Sequence, residues 1–251
     1  MNCITYTNVR KSFGPKTVLN GVNLKVEKGN THVILGGSGS GKSVMLKCLL
    51  GLIEPDEGTI TVDGLDTTHM PSRERMEHMH KFGMLFQAGA LFDSMNVWQN
   101  VAFALMNEGM KPADARDVAV QKLKQVGLKA DTADLNPADL SGGMRKRVAL
   151  ARAIAHNPQI ILYDEPTTGL DPITSDVIND LILQLQSELK ATSVVITHDM
   201  HTAFKVADKI SFLYQGKFIA EGTAKEFKST DNPYVKQFVA GSAQGPIQGA
   251  V

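Results

Sequence analysis

The period of apolar and polar positions changes along the chain. Val22, Leu24 and Val26 alternate with polar neighbours, the period of a strand buried on one face. Residues 32–35 form a short apolar run that stops at glycines, as a buried strand does, and the apolar stretch 44–53 reads as a helix ending near Pro55. Residues 59–62 give another short strand, closed by Asp63 and Gly64. From about 88 to 156 the spacing turns helical. Pro112 opens a segment that carries Ala115, Val118, Leu123, Val126 and Leu128 at near-helical spacing and closes around Gly127. A second helix, about 144–155, follows Ser141, Gly142 and Gly143 and is stopped by Asn157 and Pro158. Strand and helix then alternate again. Residues 160–163 are apolar, Asp171 and Pro172 have the form of an N-cap followed by a proline in the first turn, and Val177, Ile178, Leu181, Ile182, Leu185 and Leu189 draw one apolar stripe. Residues 193–197 are β-branched, and 210–214 with 217–220 read as a hairpin around Gln215 and Gly216. This alternation predicts an α/β fold with a parallel sheet, and the helical middle predicts an inserted subdomain.

Composition narrows the class. The chain has 251 residues, 43% hydrophobic and 21% charged, which excludes a disordered or fibrous polypeptide. Lys and Arg number 26 and so do Asp and Glu, so the balance gives no whole-chain reason to expect nucleic acid as a partner. The longest apolar stretches fall far short of the roughly 20 residues a membrane-spanning helix needs, and the first residues lack the apolar core of a secretory signal. Cys3 and Cys48 make no disulfide framework and are expected as packed free thiols. The expectation is a soluble cytosolic chain.

Chemistry enters at Gly36, Gly37, Ser38, Gly39, Ser40, Gly41, Lys42 and Ser43, which fit the pattern G-x-x-x-x-G-K-[ST] between a strand and a helix. A polyphosphate must lie against bare backbone N–H groups, and glycines leave them open. The helix that follows offers unpaired N–H groups and the positive end of its dipole. Lys42 is placed to reach the β- and γ-phosphates, and Ser43 to give its hydroxyl to Mg²⁺. By itself this loop fits a kinase, a GTPase, a helicase or a transporter ATPase. A second site stands at the end of the apolar strand 160–163, where Asp164 can hold the metal through water and Glu165 can orient and polarise an attacking water. The N-K-x-D motif by which a GTPase reads its base does not occur.

Leu140-Ser141-Gly142-Gly143-Met144, just upstream of that strand, resembles the signature of ABC transporter nucleotide-binding subunits, and the likeness extends over nearly the whole chain. The family often has Gln where Met144 stands. The resemblance implies a P-loop (ABC ATPase) core with a mixed sheet, N-terminal antiparallel strands and an inserted α-helical subdomain. It implies one ABC ATPase domain over 1–240, with core segments of about 1–87 and 158–240, a helical subdomain of about 88–157, and a flexible tail over 241–251. It places Phe13 on the adenine, where the family more often has Tyr. Val44 joins the phosphate loop at the nucleotide. Gln87, after Phe86, becomes the Q-loop residue that senses Mg²⁺ and the attacking water. Asp171, after Gly169 and Leu170, belongs to the D-loop, and His198 is the switch histidine at the γ-phosphate. ATP and Mg²⁺ are the implied cofactors, with Ser43, Gln87 and Asp164 as metal holders and Glu165 as the base. The implied assembly is a head-to-tail pair of copies with two ATP sandwiched between them, each phosphate loop facing Ser141, Gly142 and Gly143 of the other copy.

Two stretches, 84–97 and 163–174, resemble the ATPases of Mla-type phospholipid transporters. That likeness implies a membrane permease dimer as partner, an MCE-domain periplasmic protein, a small cytoplasmic regulatory subunit, and a place on the cytoplasmic face of the bacterial inner membrane. A different cargo, such as an amino acid or a lipoprotein, and a soluble ABC ATPase without a permease stay open as alternatives. Leu91, Phe92, Met95, Val97 and Trp98 are either buried core or a groove that receives a permease helix. His78, Met79 and His80 read as a solvated helix face, since neighbours two apart diverge on a helix. The basic run from Met144 to Arg147 is expected to spread over several helix faces, and the segment after Pro233 is either frayed or a strap onto the partner copy.

Overall fold

Strand β1 (Asn2–Phe13) turns back into β2 (Lys16–Glu27), and the alternation at Val22, Leu24 and Val26 is realised as one buried face. Next come β3 (Thr31–Leu35), α1 (Lys42–Leu49), β4 (Glu57–Val62) and β5 (Leu65–Asp66). All five residues of β3 are buried. The chain continues through α2 (Ser72–Met79), β6 (Phe82–Leu85), α3 (Val97–Asn107), α4 (Pro112–Gln125), α5 (Gly142–Ala153), β7 (Ile160–Asp164), α6 (Pro172–Leu189) and β8 (Thr192–Thr197). It ends with α7 (Met200–Val206), β9 (Lys209–Tyr214), β10 (Lys217–Gly222), α8 (Ala224–Ser229) and α9 (Pro233–Ala240). This computed structural model describes residues 1–247.

The elements divide between two units, Met1–Pro71 with Ile196–Val251, and Ser72–Val195. The first unit holds an antiparallel sheet of order β2-β1-β4-β5, in which Ile4 lies opposite both Val26 and Val62. The buried Tyr6 hydroxyl donates to the carbonyl of Met45 at 3.1 Å and so ties this sheet to α1. Also in this unit, β9 pairs parallel with β3 and antiparallel with β10. In the second unit β6 and β7 run parallel, with Met84 opposite Leu162. Its helices bury the apolar positions that the sequence spaces at helical intervals: Val101 and Ala102 on α3, Ala115 and Leu123 on α4, Val148 and Ala149 on α5. The fold is α/β with a mixed sheet and antiparallel N-terminal strands, the class that the resemblance implies.

The segment 88–157, expected as a helical subdomain, lies wholly inside the second unit together with β6, β7 and α6. Three local expectations are corrected. His78 is buried, its ring 5.6 Å from that of Phe82, so this position of α2 does not belong to the solvated face, and the exposed His80 has its Nδ1 3.0 Å from the Glu108 carboxylate. Val177 is exposed, which narrows the stripe on α6. Helix α5 begins at Gly142 because the Ser141 hydroxyl accepts the N–H of Met144 and caps it there. Both cysteines are buried, and neither is in a disulfide. Residues 248–251 of the expected tail lie outside the described residues, whereas the Gln237 side chain bonds main-chain atoms of Ser242 and Ile247. Among the described residues no helix is long and apolar enough to cross a membrane.

Candidate functional site

In the first unit the loop from Gly36 to Gly41 leaves the end of β3 and enters α1. Gly36 is required by packing: a Cβ there would lie 2.5 Å from the carbonyl oxygen of Leu213 and 2.8 Å from the Ser40 hydroxyl. Gly41 is the N-cap at φ 109°, a left-handed conformation that glycine adopts freely, and no side chain caps the first turn of α1. Those N–H groups are left to a ligand rather than to a Ser or Asp oxygen. Lys42 begins the helix, buried, and its ammonium donates to the carbonyls of Gly36 at 2.7 Å and Gly37 at 3.0 Å. Ser38, Gly39 and Ser43 are exposed, and Gly37, Ser40 and Val44 are half-buried. His198 is exposed and follows β8 directly. The Gly36 N–H donates to the carbonyl of Thr197 at 3.3 Å, so the phosphate loop and the histidine-bearing turn are neighbours. Asp199 caps α7 through Thr202 and the N–H groups of His201 and Thr202. Burial raises its pKa, but those bonds outweigh the burial and hold the carboxyl below its usual range. Phe13 ends β1, 46% exposed, with the Lys11 ammonium 5.6 Å from its ring centroid.

The second unit brings together Gln87, Asp164, Glu165 and the turn Ser141–Gly142–Gly143 around α5. Gln87 is exposed just beyond β6. Asp164 ends β7, and Glu165 follows it at φ 48°, a left-handed conformation that non-glycine residues seldom hold. Glu165 is 8% exposed, and one carboxylate oxygen accepts the Thr168 hydroxyl at 3.2 Å. Gly143 packs on α6, where an added Cβ would meet the Thr174 methyl at 2.6 Å. The Asp171 carboxylate caps α6: it accepts the Thr174 hydroxyl and the N–H groups of Ile173 and Thr174. The Thr174 hydroxyl is the chief cause holding that carboxyl below its usual range.

Sequence reasoning did not find two basic residues that hold this second group. Lys146, one of the run expected to lie on the helix surface, is 6% exposed. Its ammonium donates to the main-chain carbonyls of Gln87 and, at 3.2 Å, of Glu165. Burial pushes the Lys146 ammonium below its usual pKa, and the Asp164 and Glu165 carboxylates oppose the shift. Arg152 donates to the carbonyls of Gly89 and Ala90, both at 2.7 Å. Residue type gives no signal for either role, because the acceptors are peptide carbonyls.

The stretch after Gln87 is divided in its fate. Val97 is buried, Leu91, Met95 and Trp98 are half-buried, and Phe92 stays exposed with its ring 4.7 Å from Phe103. Phe103 in turn lines an open apolar groove of about 450 Å³ with Met76, Met79, Phe82 and Ala104, bordered by the His80–Glu108 pair.

Ser43 in the first unit, and Gln87 and Asp164 in the second, carry oxygen donors of the hard kind that Mg²⁺ takes. The ATP-binding protein mkl of Mycobacterium leprae, described as a probable ribonucleotide transport protein, is 40% identical over 97% of this chain and 70% of its own length. The ATP-binding protein MlaF of the intermembrane phospholipid transport system of Haemophilus influenzae is 40% identical over 98% of this chain and 94% of its own. Among solved structures, the ATP-binding cassette MJ0796, dimeric and bound to ADP and Pi, superposes with a TM-score of 0.81 at 34% identity, covering 88% of this chain and 98% of that one. The family described as ABC transporter matches residues 19–168, so a phosphate loop, an acid-ended strand and a serine-capped signature helix in this order have one source: the chain belongs to the ABC transporter family.

Proposed function

We propose that this chain is the ATP-hydrolysing motor subunit of a membrane transporter that moves phospholipid. The observation that carries the ATPase reading is the loop itself: an uncapped helix start, a first glycine with no room for a side chain at Gly36, and a buried lysine whose bonds to the Gly36 and Gly37 carbonyls can be exchanged for bonds to phosphate oxygens. In this reading residues 1–240 act as one catalytic domain. The N–H groups of 36–44 and the Lys42 ammonium hold the phosphates, and Phe13 offers a ring face to the adenine. Ser43, Gln87 and Asp164 hold Mg²⁺, which when bound neutralises charge on the phosphates. Glu165, fixed by Thr168, accepts a hydrogen bond from the attacking water and polarises it. His198 senses the γ-phosphate from the turn tied to Gly36.

The second copy is part of the reaction. Gly142 is exposed at the start of α5, and small residues there let the first N–H groups approach a nucleotide held by another subunit, as the dimeric form of MJ0796 suggests. Asp171 stands beside that surface as the cap of α6. The phospholipid cargo is supported by the near end-to-end match with MlaF, whereas the match with mkl, at equal identity, covers only 70% of that protein's length. We assign the apolar groove around Phe103 to a helix of the permease, the partner that carries the motion into the bilayer. An MCE-domain periplasmic protein and a small regulatory subunit complete the assembly, and the chain works peripherally on the cytoplasmic face of the inner membrane. Glu165→Gln tests the core of this reading. It should bind ATP with near-normal affinity and lose roughly 100-fold or more in turnover; near-normal turnover would remove Glu165 from the role of base. Phospholipid in the co-purified permease complex supports the cargo, and ribonucleotide in its place favours the other reading.

A further inference from the structure

We infer that Lys146 is a positioning residue for ATP hydrolysis: from within α5 it ties the main chain of Gln87 to the main chain of Glu165, so that both residues move with the signature turn Ser141–Gly142–Gly143 as one piece. The inference rests on the reading of Glu165 as the base.

An ammonium buried to this degree is costly unless it is hydrogen-bonded, and an apolar residue would suit the interior of α5 better if packing were its only task. Lys146 spends its donors on the carbonyls of Gln87 and Glu165. The second of these belongs to the residue at φ 48°, a conformation that persists only where its surroundings over-determine it. Two anchors act on Glu165 together: Lys146 on its carbonyl and the Thr168 hydroxyl on its carboxylate at 3.2 Å. The loop after Gln87 is fastened to the same helix at a second point, because Arg152 holds the carbonyls of Gly89 and Ala90. Gly89 also lies against the Ala149 side chain, where an added Cβ would stand 3.5 Å away. A movement that carries the start of α5 toward a nucleotide therefore carries Gln87 and the carboxylate of Glu165 with it. The phosphate loop makes none of these bonds, so loss of Lys146 should spare nucleotide binding and impair turnover.

The test compares Lys146→Met and Lys146→Arg in the full chain, with ATP turnover and the affinity for a fluorescent ATP analogue with Mg²⁺ read on the same preparations. Lys146→Met should lower kcat at least about 10-fold with KM and nucleotide affinity within about twofold, and Lys146→Arg, which restores charge and donors, should recover several-fold of that loss. A kcat for Lys146→Met within about twofold of the parent overturns the inference, as does an Arg variant no better than Met at equal affinity. Glu165→Gln is measured alongside. If it turns over normally, the reading of the base fails; if it is inactive while Lys146→Met is active, only the role of Lys146 fails. Should Lys146→Met not fold, hydrogen exchange on the parent chain decides. Amides of 88–90 and of Thr167 and Thr168 should open together with the start of α5, and independent opening overturns the proposal.

Discussion

The N–H of Gly36 donates to the carbonyl of Thr197, the residue immediately before His198, across 3.3 Å. The first glycine of the phosphate loop and the turn that presents the histidine therefore share a hydrogen bond. A shift of one is felt by the other.

Gly36→Ala should exploit this link. The new Cβ would stand 2.5 Å from a main-chain oxygen of β9, which cannot yield as a flexible side chain does. The loop must move, at a cost of about 1–3 kcal/mol in folding stability. Nucleotide affinity should weaken by about 10-fold or more, equivalent to about 1.4 kcal/mol. Gly37→Ala is the steric control, since nothing lies within 4 Å of its Cβ position. Its unfolding free energy should stay within about 0.5 kcal/mol of the parent. Equal denaturation midpoints for the two variants would refute the packing argument.

Gly143→Ala addresses the signature turn. Its Cβ would meet the Thr174 methyl at 2.6 Å, and the Thr174 hydroxyl is held by Asp171 at 2.5 Å, so the methyl cannot swing away without breaking that bond. The single variant should lose about 1–3 kcal/mol in chemical denaturation. Thr174→Ser removes the methyl and keeps the hydroxyl. The double variant should recover at least about half of the loss, a coupling of about 1 kcal/mol between neighbours. Strict additivity would mean that the two side chains do not meet.

These residues also mark how much could be read from sequence. The phosphate loop was legible because bare N–H groups, a lysine and a hydroxyl at fixed spacing have few other uses. The cap at Asp171 was legible because Asp followed by Pro suits both positions of a helix start. Lys146 was not. Seven of the twelve residues of α5 are buried, so the helix is covered on several sides and a basic residue there points inward. Its acceptors are carbonyls of Gln87 and Glu165, distant in sequence, and no side-chain pattern announces them. His78 escaped for the same reason: a strongly polar helix hid its one buried position, which faces Phe82. Tertiary burial, which single-residue polarity does not encode, decided both cases.

The groove offers a prediction about assembly. Phe103 lines it from α3, and its ring rests 4.7 Å from Phe92. Phe103→Asp places a charge on an apolar wall without touching the phosphate loop. The purified variant should keep its nucleotide affinity within about twofold, while capture by the permease in detergent falls at least about 10-fold. Undiminished capture would take the groove out of the permease interface. Loss of nucleotide binding would show that the substitution disturbs the fold itself.

The pH dependence of stability has a buried source in β3. His32 is 1% exposed, and its Nε2 lies 2.8 Å from the Ser211 hydroxyl, which in turn donates to Glu221 at 3.1 Å. Burial holds the His32 pKa down at about 4, against a smaller opposing pull from Glu221, while Lys209 adds to the depression. The unfolded chain therefore takes up this proton first, near pH 6.5, and the folded chain only near pH 4. Stability linked to His32 is complete above about pH 6.5, falls as the pH drops toward about 4, and changes no further below it. A displacement of this size corresponds to about 3 kcal/mol across that window. Substitution His32→Gln keeps a hydrogen-bonding partner for Ser211 and removes the titration. Urea denaturation at pH 7.5 and pH 4.5 should show a much smaller drop for the variant than for the parent, with the remaining slope due to carboxylates such as Glu221. Parallel profiles would mean that His32 does not govern the acid limb.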